Sequence, residues 1–132
     1  MRYENIKAKE YASYHQMHFQ NNKVVNAILS GTKDYLIYVQ YSFSSSKLHD
    51  KFLLIDSNHK YLGAIEIVSE KIIPFKELKS NMINYQLAGF KNFNEYKDNL
   101  LNEFIEESKC FNELFTEDSL IKYTKIKVIN KI

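Results

Sequence analysis

The sequence predicts an α+β fold, a small mixed β-barrel with flanking α-helices, and three observations carry that prediction. The run YLIYVQYSF at 35–43 is dense in β-branched and aromatic residues. It is followed by KFLLID and YLGAIEIVSEKII, two further strand-like runs that flank the turn Ser57-Asn58-His59-Lys60. The clearest helical period comes later, in FNEYKDNLLNEFIEE, where Phe93, Tyr96, Leu100, Leu101 and Phe104 recur at helical spacing. Finally, LIKYTKIKVINK alternates Ile126 and Val128 against Lys125 and Lys127, so a closing strand returns to the sheet begun near residue 35.

The remaining elements follow in order. Tyr11, Tyr14, His15 and His18 stand near helical spacing in a polar stretch, which predicts a weak helix or an ordered arm over 1–20. Asn21 and Asn22 are N-cap candidates for a short helix through KVVNAIL, with Gly31 supplying a left-handed stop. Pro74 ends the long second arm of the hairpin, PFKEL reads as a single helical turn, and NMINYQLAGF reads as a further helical segment closed by Gly89. Asn92 with Glu95 forms a start like a capping box for the main helix. At 132 residues the chain is expected to form one domain over 1–132, since a chain of this size buries roughly two thirds of its surface on folding.

Composition limits the function classes. Eighteen Lys and Arg against sixteen Asp and Glu give a formal charge of +2, far from the basic excess of a dedicated polyanion binder. No apolar run reaches the roughly 18 residues of a spanning helix, so no membrane role is expected. MRYENIKAKE lacks the apolar stretch of a secretory signal, and the lone Cys110 has no partner for an internal disulfide. Both point to the cytoplasm.

Taken in order, ILSGTK at 28–33, HDKFLLID at 49–56, LGAIEIVSEKIIPFKEL at 62–78, LAGF at 87–90 and FTEDSLIKYTKIKVI at 115–129 resemble the ASCH superfamily and its PUA-like β-barrel. The likeness covers about residues 20–130. It implies a cleft near the Gly-x-Lys turn, here Gly31 to Lys33. One group of small ASCH proteins hydrolyses the amide of acetylcytidine with a Lys, a Thr three residues later and a Glu in a following helix. Here Lys33 is kept, but the other two positions hold Leu36 and Ala88, which supply neither a nucleophile nor an acid-base group. The Arg usual at the end of the following strand is also missing, and His49 replaces the Gly before Asp50. The resemblance therefore implies a binding module for RNA or a nucleotide-like ligand, with no catalytic residues assigned.

Lys33, Tyr35, Tyr38, Gln40, Ser45 and Lys47 are the expected ligand-binding residues. Each also has a plainer reading. A lysine after a helix C-terminus is favoured by the helix dipole by about 0.3–1 kcal/mol. Tyr35, Tyr38 and Tyr41 can stack on bases, yet strand tyrosines more often fill a barrel wall. Ser44-Ser45-Ser46-Lys47 has hydroxyls for a phosphate but no glycine to form a nest. His15 and His18 lack a third ligand, so no metal and no cofactor is expected. Lys125 and Lys127 read as an outer, solvated strand face. Two other functions remain open: a hydrolase with a rearranged set such as Thr32, Lys33, Tyr38 and Asp50, and a module for a protein partner or homodimer.

Overall fold

The computed structural model describes residues 13–41 and 47–131. Its elements are β1 (His15–His18), α1 (Asn22–Leu29), β2 (Tyr35–Val39), β3 (Lys51–Ile55), β4 (Tyr61–Pro74), α2 (Phe93–Lys109) and β5 (Leu120–Lys131). Two 3-10 turns, Phe75–Glu77 and Ser80–Met82, follow β4. The strands form one mixed five-stranded sheet in the order β1-β3-β4-β5-β2. β1 runs parallel to β3, and β3 runs antiparallel to β4 with a register shift between Leu54 and Ile55. The last strand in the chain is thus paired inside the sheet, between β4 and β2.

Local chemistry accounts for the element ends. The Asn21 side chain accepts from Lys23 N–H at the start of α1, and Gly31 takes φ +82° just after its end. In the β3–β4 hairpin, Asp56 Oδ1 accepts from Asn58 N–H and Lys60 N–H at 2.8 and 2.9 Å, an Asx turn that folds the chain back. At α2, Asn92 Oδ1 accepts from Glu95 N–H while Glu95 Oε2 accepts from Lys91 N–H.

Two sequence readings change. Where a weak helix or arm is expected over 1–20, the described part, His15–His18, is strand β1, its residues paired one for one with Phe52 to Ile55. Sheet pairing overrides a helical spacing that has no continuous apolar face. The segment 81–90 forms no α-helix either. After the Ser80–Met82 turn it continues as tight turns, with Ala88 N–H donating to Tyr85 O and Gly89 at φ +88°.

The chain gathers into two compact units, and β2, β4 and β5 contribute residues to both. Of the described residues, 13–36, 47–70 and 124–131 form the first. Its core holds Leu53, Ile55, Tyr61 and Ala64, with Tyr14 and Ile129 packed against them. Gly63 is required here. A Cβ at this position would lie 2.6 Å from Asn130 O and 2.7 Å from Leu29 Cδ2.

The second unit holds 37–41 and 71–123 of the described residues. Its centre is the trio Phe75, Phe104 and Phe115, whose ring centroids lie 5.4–6.1 Å apart in edge-on pairs. The apolar positions of α2, Phe93, Tyr96, Leu100 and Leu101, pack against this core as their spacing predicts. Lys97 Nζ donates to the carbonyls of Lys76 and Leu78 at 2.9 and 3.2 Å and lies over the rings of Phe75 and Phe93. One cation thereby holds the turn after β4 onto α2.

Gly63→Ala is expected to lower unfolding stability by about 1–3 kcal/mol, because the obstructing atom is strand backbone that cannot swing away. Lys97→Met keeps the stem but removes both carbonyl contacts, and should cost about 1–2 kcal/mol. Urea denaturation of each variant beside the wild type measures both.

Candidate functional site

The C-terminal turn of α1 is closed by backbone. Ser30 N–H donates to Asn26 O, Gly31 N–H to Ile28 O and Lys33 N–H to Ala27 O, at 2.9–3.1 Å, and Ser30 Oγ adds a second bond to Ala27 O. These contacts satisfy three of the helix's last four carbonyls, those of Asn26, Ala27 and Ile28, without a lysine side chain. The Lys33 ammonium lies instead 5.4 Å from the centroid of the Tyr35 ring. The side chain is half-buried and has no carboxylate partner among the described residues. Burial alone holds its pKa below the ordinary lysine value. Other lysines differ: Lys76 pairs with Asp118 at 2.7 Å and Lys125 with Asp34 at 3.3 Å.

The other expected site residues do not all join Lys33. Tyr35 is 5% exposed, so its ring lies beneath the ammonium and offers no open face to a base. The two-residue period of β2 puts Tyr35, Ile37, Val39 and Tyr41 on one face and Leu36, Tyr38 and Gln40 on the other. Ile37, Val39 and Tyr41 enter the core of the second unit. Tyr41 shares a hydrogen bond with Ser108 Oγ at 3.2 Å, and burial pushes its hydroxyl pKa up. Tyr38 and Gln40 are half-buried, and Gln40 Oε1 is a buried acceptor with no hydrogen bond among the described residues. Lys47 is exposed in a turn closed by its own N–H donating to Asp50 Oδ2 at 2.9 Å. Ser45 lies outside the described residues.

The two positions that the resemblance matches to the hydrolytic Thr and Glu differ in setting. Leu36 is buried, and its carbonyl accepts from Thr124 Oγ1 at 3.2 Å, while Ala88 is exposed in a turn. Thr32 Oγ1 is hydrogen-bonded to Ser30 Oγ. Asp50, besides closing its turn, faces His15 Nε2 at 3.7 Å. His49 Nδ1 lies 3.3 Å from Glu66 Oε2, and His18 meets His59 edge-on. Among the described residues, no three His, Cys, Asp or Glu side chains are placed to hold a metal ion.

The surroundings of the β5 lysines follow from the pairing of that strand with β2. Ile126 N–H donates to Asp34 O at 2.9 Å and Thr124 Oγ1 to Leu36 O. As one strand's numbers rise the other's fall, so β5 runs antiparallel to β2. This register sets Lys125 opposite Tyr35, and the Ile126–Asp34 bond brings Lys127 and Lys33, each one residue beyond it, to the same end of the ladder. The strand alternation had singled out both lysines, but only the pairing partner shows which residues they face. Beyond them, an open groove of about 560 Å³ runs between Leu29–Gly31 and Val128–Lys131.

Charge is divided unevenly between the units. Among the described residues the first carries eight Lys against five Asp and Glu, together with all four histidines, and the second carries seven Lys against nine Asp and Glu. The near-neutral total therefore conceals a basic unit containing Lys33.

No protein-family model matches the chain, and no curated protein does. Solved structures do. The ASCH domain from Lactobacillus crispatus superposes with a TM-score of 0.76 at 18% identity, covering 98% of this chain and 87% of that one. Protein EF3133 from Enterococcus faecalis, of the DUF984 family, gives 0.72 at 15% identity, covering 89% and 77%. Hypothetical protein PH0355 gives 0.60 at 18%, covering 88% and 99%. Likeness at these identities concerns architecture: this chain has the PUA-like α+β fold of an ASCH domain.

Proposed function

We propose that this protein is a binding module that holds RNA or a nucleotide-like anionic ligand at Lys33 and performs no chemistry on it. The observation that carries this reading is the state of the Lys33 ammonium: half-buried, without a carboxylate among the described residues, and lying over the Tyr35 ring while other donors fill the Asn26, Ala27 and Ile28 carbonyls of α1. A partly desolvated cation attracts an anion more strongly than a solvated one, because less water screens the pair. The basic balance of its unit adds attraction. An ASCH-like fold is compatible with RNA as the ligand. Leu36 and Ala88 argue against amide hydrolysis at the motif positions. The lone Cys110 fits a reducing compartment, here the cytoplasm.

Stability separates this reading from helix capping. Lys33 has a folded-state pKa below its unfolded value, so the unfolded chain binds its proton more tightly. At neutral pH that difference opposes folding, and it fades as pH rises towards the ordinary lysine pKa of 10.5. Lys33→Met is therefore expected to leave the melting temperature at pH 7 unchanged or raised, whereas loss of a capping cation would lower stability by about 0.3–1 kcal/mol. The same variant should weaken the binding of short single-stranded RNA or mononucleotides by about tenfold. Fluorescence titration at two salt concentrations, with melting curves alongside, reads both quantities. Unchanged binding together with a lowered melting temperature would assign Lys33 to the helix.

A further inference from the structure

A second cation lies at the same end of the ladder as Lys33. Lys127 is exposed, makes no ion pair among the described residues, and lies one residue beyond the Ile126–Asp34 backbone bond, as Lys33 does on the other chain segment. Like charges brought to one end of a strand pair repel unless something neutralises them. The nearby carboxylate, Asp34, is engaged by Lys125 at 3.3 Å. No aromatic face is open beside Lys33, since Tyr35 is 5% exposed under the ammonium. The adjoining groove, lined by Leu29, Ser30, Gly31 and Val128 to Lys131, contains no ring on which a base could stack.

We infer that Lys127 is a second ligand-binding residue, and that it and Lys33 together grip one phosphate group without regard to the base attached to it. This rests on the reading of Lys33 as a ligand-binding cation and goes beyond it by naming a partner residue and the group recognised. Two ammonium groups supply charge and donors to phosphate oxygens, and a phosphate placed between them removes their mutual repulsion. Neither lysine is positioned by a planar fork, so the pair accepts a monoester or a diester.

The test uses fluorescence anisotropy of the full chain with short labelled oligo(A) and oligo(U), competed by unlabelled AMP, UMP and adenosine. The two oligonucleotides should bind within about threefold of each other, and adenosine should not compete. Competition by AMP and UMP alike points to a terminal monoester, whereas binding of the oligonucleotides without such competition points to the backbone diester; both outcomes support phosphate recognition. Lys127→Gln should weaken binding about tenfold, while Lys60→Gln, which removes the same charge from the hairpin turn of the same unit, should change it less than about twofold. Adenosine competing as well as AMP would overturn the inference. So would Lys127→Gln binding like wild type while Lys33→Met does not; in that case the Lys33 reading survives, whereas competition by neutral adenosine would overturn both. Failure of wild type to bind any of these probes would overturn that reading and the inference with it.

Discussion

Everything in this fold depends on β5 reaching its place between β4 and β2. It is the last strand to be made, yet it has sheet neighbours on both sides. Along its twelve residues it supplies Ile121 to the core of one unit and Ile129 to the edge of the core in the other. Its approach is close enough at Asn130 that β4 must carry Gly63. Contacts between segments so distant in sequence form only after large loops close, so the strand's local preferences must favour extension unaided. The β-branched content of IKYTKIKVI provides that preference.

The same strand sets the electrostatics. Lys125 comes to lie across from Tyr35, and Lys127 comes to the same end of the ladder as Lys33, because the Asp34 and Leu36 carbonyls accept from Ile126 and Thr124. One of the four polar groups brought to this end of the ladder, Asp34, neutralises Lys125. Lys33 and Lys127 are left without carboxylates among the described residues. A folded protein has little stability to spare, so a half-buried cation that opposes folding is more readily understood as a binding group than as a structural one.

The sequence was most legible where local and global preferences agree. The caps at Asn21 and Asn92, the stop at Gly31, the Asp56 to Lys60 hairpin and the apolar stripe of α2 each rest on contacts within a few residues. β1 was misread because Tyr14, His15 and His18 carry no decisive pattern until β3 is present to pair with them. For Tyr35 and Tyr41 the plainer reading, rings that fill a strand wall, agrees with their burial; the alternative of open stacking platforms does not. Lys127 is exposed, as the alternation of its strand predicts, but alternation reveals only that a residue shares a face with its neighbours two away, not what lies near it on another strand. The ordered set of weak motifs, by contrast, led to the fold that solved ASCH-like structures share with this chain.

The central claim is that Lys33 is a desolvated cation held open for an anion. Titration of the lysine side-chain carbons by NMR in isotopically labelled protein, with Lys33 assigned from the Lys33→Met spectrum, measures this directly. Lys33 should lose its proton at lower pH than the exposed lysines, and adding AMP should raise its pKa towards theirs as phosphate stabilises the charged form. A Lys33 signal that titrates with the exposed lysines and does not respond to AMP would contradict the account.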